Sequence, residues 1–87
     1  MKIVDGFILK NIADTNVVVP VGDKSISFNS IISLNDSGAF LWNLLTEETD
    51  EDSLVKALTT EYDIDEATAR ADIREFVETM RKANLIV

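Results

Sequence analysis

Phe28-Asn-Ser-Ile-Ile-Ser-Leu-Asn-Asp-Ser-Gly-Ala-Phe-Leu-Trp-Asn-Leu-Leu45 changes its periodicity part-way along, and the change divides the chain. Towards Leu34 the residues alternate. Ile26, Phe28, Ile32 and Leu34 fall on one face of an extended strand, and Ser27, Asn29, Ile31 and Ser33 fall on the other. Beyond Leu34 the alternation stops. Phe40, Leu41, Trp42, Leu44 and Leu45 make a helix over about 36–46 that is apolar on most of its circumference, and such a helix in a small protein has to be buried. Asn35 stands at the switch, where its side-chain oxygen can accept from a free amide of the first turn.

Upstream the chain reads as sheet. Phe7-Ile-Leu-Lys-Asn-Ile12 is aromatic and β-branched enough for a strand, Ala13-Asp-Thr-Asn16 supplies turn residues, and Val17-Val-Val-Pro-Val21 is a second strand. The two predict an antiparallel hairpin. Pro20 has no amide to donate and marks a strand end or an edge. Gly22-Asp-Lys24 is a second turn, and the third strand then runs over about 25–33.

Downstream the chain reads as helix. In Thr46-Glu-Glu-Thr-Asp-Glu-Asp-Ser53 the acids lack the glycine and terminal glutamate of a calcium loop. Their simpler reading is a cap at Thr49 or Asp50, with acids in the first turn complementing the dipole of a helix over about 50–61. That helix buries Leu54, Val55 and Leu58. Asp65 caps a third and longest helix, about 66–83, with Ile64 as half of a hydrophobic staple. Ala69, Ile73, Phe76, Met80 and Ala83 follow the rhythm of a core-facing stripe, and Asn84 suits a left-handed C-terminal position.

Composition narrows the function. The 87 residues, 46% of them hydrophobic, allow one folded domain over 1–87 with one core. There is no cysteine and no histidine, so thiolate chemistry, disulfides, zinc-finger spacings and the commonest neutral-pH base are all missing. The sequence therefore argues against an autonomous enzyme, and no cofactor is expected. The N-terminus lacks a signal-peptide pattern and no stretch is long enough to span a membrane, which points to a soluble, cytoplasmic protein without a membrane partner. A formal charge of −8 disfavours nucleic acid.

Three strands followed by three helices define an α+β unit, winged helix-turn-helix-like, with a three-stranded antiparallel sheet. If the third strand is an edge, its outer backbone groups are a template for another chain, either a peptide or a second copy in a homodimer. Ile31 is the one aliphatic residue on that strand's polar face. The third helix carries a second line, Arg70, Arg74, Val77 and Arg81, rotated roughly 100° from the core stripe at 3.6 residues per turn. All three arginines of the chain lie on it. The line reads either as a solvated face with i,i+4 pairs such as Glu66–Arg70, or as one wall of a groove.

Leu34-Asn-Asp-Ser-Gly-Ala-Phe-Leu-Trp-Asn-Leu-Leu45 resembles the Leu-Asn-x-x-Gly-Ala-x-x-Trp-x-x-Leu signature of PqqD-like proteins, and residues 62–77 resemble that family's third-helix region. The resemblance covers nearly the whole chain. It implies a peptide chaperone, or precursor-peptide recognition element, that binds the leader of a ribosomally made peptide. Such a chaperone presents the attached core to a modifying enzyme such as a radical S-adenosylmethionine protein. The pathway would be that of pyrroloquinoline quinone or of another modified peptide. In the family the leader adds as a strand beside the third strand, against the third helix. Carried onto this sequence, the resemblance puts the peptide site at Asn29, Ser30, Ile31, Ile32 and Ser33, facing Arg70, Ile73, Arg74, Val77 and Arg81. The arginines would then meet acidic residues of the leader.

Two rival readings share the architecture. A DNA-binding winged helix needs a basic recognition helix, whereas the segment from Asp65 to Asn84 has a net charge of about −1. A plain adaptor subunit could dock through the acidic runs at 47–52 and 61–66. The groove reading expects Ile31→Asp or Val77→Asp to weaken leader binding and leave the fold intact.

Overall fold

The computed structural model describes residues 1–22 and 32–87. β1 (Phe7–Ile12) and β2 (Thr15–Pro20) pair antiparallel with Ile12 opposite Thr15. Ala13 and Asp14 alone therefore make the hairpin loop. Their φ angles are 51° and 66°, the left-handed pair that a two-residue turn needs to match the twist of its strands. The turn is tighter than its sequence predicts, because Thr15 and Asn16 join the ladder. β2 continues to Pro20, opposite Phe7 at the end of the pairing, where a missing amide is tolerated.

β3 (Ile32–Leu34) pairs antiparallel with β2, placing Val18 opposite Ile32 and Asn16 opposite Leu34. The sheet order is β1-β2-β3, which leaves β3 as an end strand among the described residues. Ile32 and Leu34 are half-buried and Ser33 is exposed, in keeping with the alternation read from the sequence.

One residue separates β3 from α1 (Asp36–Leu44). It is Asn35, whose Oδ1 accepts from the Gly38 amide at 2.8 Å and from the Ser37 hydroxyl at 3.1 Å. α2 (Glu51–Glu61) is capped by Asp50, which accepts from the Ser53 amide, and α3 (Glu66–Lys82) by Asp65, which accepts from the Thr68 amide. These amide bonds hold both aspartates below the usual carboxylate range. α3 ends in a Schellman arrangement. Leu85 N–H donates to Met80 C=O at 2.9 Å and Asn84 N–H to Arg81 C=O at 3.0 Å, with Asn84 left-handed at φ 62°.

The core joins the sheet to all three helices. Trp42, Leu45, Leu54, Leu58, Ile73, Met80, Leu85 and Val18 are its largest fully buried side chains. Phe40 meets Tyr62 edge to face, with centroids 5.8 Å apart, and so ties the outer side of α1 to the end of α2. The short C-terminal run supplies a further tie, since Ile86 bridges Ile3 and Val4 N–H donates to Leu85 C=O at 2.8 Å. On α3 the buried stripe is Ala69, Ile73, Val77 and Met80. Val77 takes the place that the sequence pattern gives to Phe76, and Phe76 is left half-buried at the edge of the stripe.

Candidate functional site

Five of the sequence-predicted site residues belong to the third strand. Asn29, Ser30 and Ile31 lie outside the described residues, and Ile32 and Ser33 are on β3. A cleft of about 440 Å³ opens beside these two, between β3, the start of α1 and α3. Its floor is Leu34, Gly38 and Leu41. Its helical wall is Asp72, Glu75, Phe76 and Thr79.

Gly38 is what keeps that floor low. A Cβ at this position would stand 3.1 Å from Asn35 Oδ1, 3.3 Å from Leu34 Cβ and 3.4 Å from Phe76 Cε1. The strand-to-helix junction and the ring on α3 therefore close around a residue without a side chain. Phe76 is half-buried. It packs against the core and also lines the cleft.

The other five predicted residues do not line this cleft. Ile73 is fully buried and Val77 is 8% exposed, so both are core. Arg70, Arg74 and Arg81 stand on the opposite flank of α3, roughly 180° around the axis from Asp72 and Thr79 at 3.6 residues per turn. There Glu51, from the first turn of α2, binds two of them. Arg70 Nη1 donates to Glu51 Oε2 and to Asp52 Oδ1 at 3.1 Å, and its Nη2 donates to Glu66 Oε1 at 3.3 Å. Arg74 forks onto Glu51, Nε to Oε1 at 2.9 Å and Nη2 to Oε2 at 3.2 Å. Bidentate pairs of this geometry are the stronger kind of ion pair.

The two guanidiniums hold the Glu51 carboxyl below its usual range, and the carboxylates raise both arginines. The arginine line thus divides. Arg70 and Arg74 lock α2 to α3, and Arg81 borders a hollow with Val77, Thr49 and Asp50. The sequence pattern identifies the line but not its direction, because a helical wheel alone does not say which flank faces the sheet. The one signal that could have done so is Glu51, an acid in the first turn of the preceding helix.

Asp72 and Glu75 carry no mark in the sequence that sets them apart from ordinary solvated acids. Both are exposed, and neither makes an ion pair among the described residues. Asp50, Asp65 and Glu51 are each engaged by a cap or a guanidinium. Asp72 and Glu75, by contrast, stand at the rim of the cleft with no described cation against them.

The chain matches the family described as Coenzyme PQQ synthesis protein D (PqqD) over residues 15–86, which span β2, β3 and all three helices. The chain belongs to the PqqD family. Among solved structures it is similar to "TbiB1 in Complex with the TbiA(beta) Leader Peptide", with 27% sequence identity and a TM-score of 0.76, over 98% of this chain and 93% of that one. No curated protein matches the sequence.

Proposed function

We propose that this chain recognises the leader segment of a ribosomally made precursor peptide. The leader adds as a strand to the outer edge of β3 and lays alternate side chains into the cleft against α3. The attached core peptide is then delivered to a modifying enzyme, of the radical S-adenosylmethionine type or another. Membership of the PqqD family and the likeness to a protein solved with its leader peptide support this reading. The observation that carries it is the coincidence of an end strand with a cleft along its length.

Backbone pairing at a strand edge gives affinity with little demand on sequence, and a cleft that receives every second side chain gives selectivity. The leader loses conformational freedom when it binds, which sets an expected affinity near ~1 μM, about −8.2 kcal/mol. The binding surface is redrawn relative to the sequence expectation. Ile32 and Ser33 stay, and the helical wall becomes Asp72, Glu75, Phe76 and Thr79.

The test is a titration of candidate leader peptides into isotope-labelled protein. Amide shifts concentrated on 32–34, 38 and 72–79 are the expected result. Shifts confined to the flank of Arg70, Arg74 and Arg81 would mean that the peptide docks elsewhere. Phe76→Ala should weaken binding about tenfold, the equivalent of ~1.4 kcal/mol, by removing the apolar wall. Val77→Asp is unsuitable as a probe, because a charge at this buried position attacks the core.

A further inference from the structure

We infer that the leader this cleft selects is basic beside an apolar anchor: a Lys or Arg two residues away from an aliphatic or aromatic residue. The inference rests on the leader-binding reading above and names the chemistry of the ligand. Four observations carry it.

First, Asp72 and Glu75 are exposed on the rim and have no cationic partner among the described residues. Second, the arginines that could have neutralised them are on the far flank of α3, where Glu51, Asp52 and Glu66 hold Arg70 and Glu51 also holds Arg74. Third, Phe76 lies one helical turn from Asp72 on the same wall. That step along an α-helix advances about 6 Å, and two residues of an extended strand advance about 6.6 Å. A strand running along α3 that seats an apolar side chain against Phe76 therefore brings its next inward side chain level with Asp72. Fourth, the chain carries a formal charge of −8, so the field around the cleft attracts a cationic segment and repels an acidic one. The preference is the reverse of the acidic leader that the arginine line implies from sequence.

The experiment is selection from a displayed library of short random peptides on the intact protein, run in parallel on Asp72→Asn/Glu75→Gln. Both positions are exposed and make no described ion pair, so the double variant keeps its fold, and an unchanged melting curve verifies this. The natural protein is expected to enrich peptides with Lys or Arg two residues from an apolar residue. The variant is expected to keep the apolar preference and lose the basic one.

A selected lysine peptide should bind about two- to fivefold more weakly for each carboxylate removed. That difference should vanish near ~1 M salt, where the screening length is about 3 Å. Enriched peptides without a basic preference, or with the same preference in the double variant, would overturn the inference and leave leader binding standing. Failure to enrich any peptide would remove the leader-binding reading, and this inference with it.

Discussion

Ala13 is the residue most at odds with its own position. At φ 51° a side chain with a Cβ is held in the left-handed region, which costs roughly 1–2 kcal/mol in an L-residue, and Asp14 at 66° tolerates it better. Type I′ turns favour asparagine followed by glycine. The double substitution Ala13→Asn with Asp14→Gly should therefore stabilise the protein by about 1 kcal/mol, read as a higher urea midpoint with unchanged slope. Trp42 is the opposite case. It is 2% exposed at the centre of the core, and Trp42→Ala should cost about 3–5 kcal/mol in the same measurement. The sequence makes Trp42 legible, because a large aromatic in an all-round apolar helix has one place to go. It does not reveal the strain at Ala13. A turn written Ala-Asp-Thr-Asn contains no glycine to mark its tightest point, and four residues are available where the ladder leaves out two.

At the scale of elements, the helices are legible through their ends. Asn35 and Asp65 cap where their chemistry says, the cap left open between Thr49 and Asp50 falls to Asp50, and Asn84 closes α3 in the left-handed conformation expected of it. What the pattern does not supply is the rotation of α3 about its axis. Phe76 and Val77 are adjacent, both are apolar, and either completes a stripe with Ala69, Ile73 and Met80. Adjacent residues stand about 100° apart on the helix, so the choice turns the mean direction of this four-residue stripe by about 25° and leaves the other residue at its edge. Glu51 fixes the choice, because its two arginines turn that side of α3 towards α2.

This clamp has a pH signature. Folding holds Glu51 below its ordinary value of 4.5, and Asp50 and Asp65 below 3.8. Over that window the unfolded chain binds more protons than the folded one. The stability these groups supply is complete above their ordinary values and is lost as the pH falls through the lower, folded ones. Glu51→Gln should therefore be less stable than the natural protein at neutral pH. The gap between the two should begin to narrow as the pH falls below 4.5 and close once it has passed the lower, folded value of Glu51; a gap independent of pH would mean that the charge of Glu51 contributes nothing to the clamp.

At the scale of the molecule, charge separates the readings that architecture leaves together. A winged helix that reads DNA needs a positive face. Here the cations of α3 are consumed in part by Glu51, Asp52 and Glu66, and the opposite flank presents carboxylates. Duplex DNA in a low-salt gel shift should run unretarded with this protein; a band that is retarded and then released by salt would reverse that assignment. The same asymmetry gives α3 three longitudinal strips with separate duties. One is buried, one is fastened to α2, and one faces the cleft. Asp72, Glu75 and Thr79 belong to the third strip, are exposed, and make no ion pair among the described residues. On the leader-binding proposal, the selectivity of the cleft is therefore open to change by substitution at these three positions without repacking the core, and the scaffold becomes a starting point for a protein directed at a leader of chosen charge.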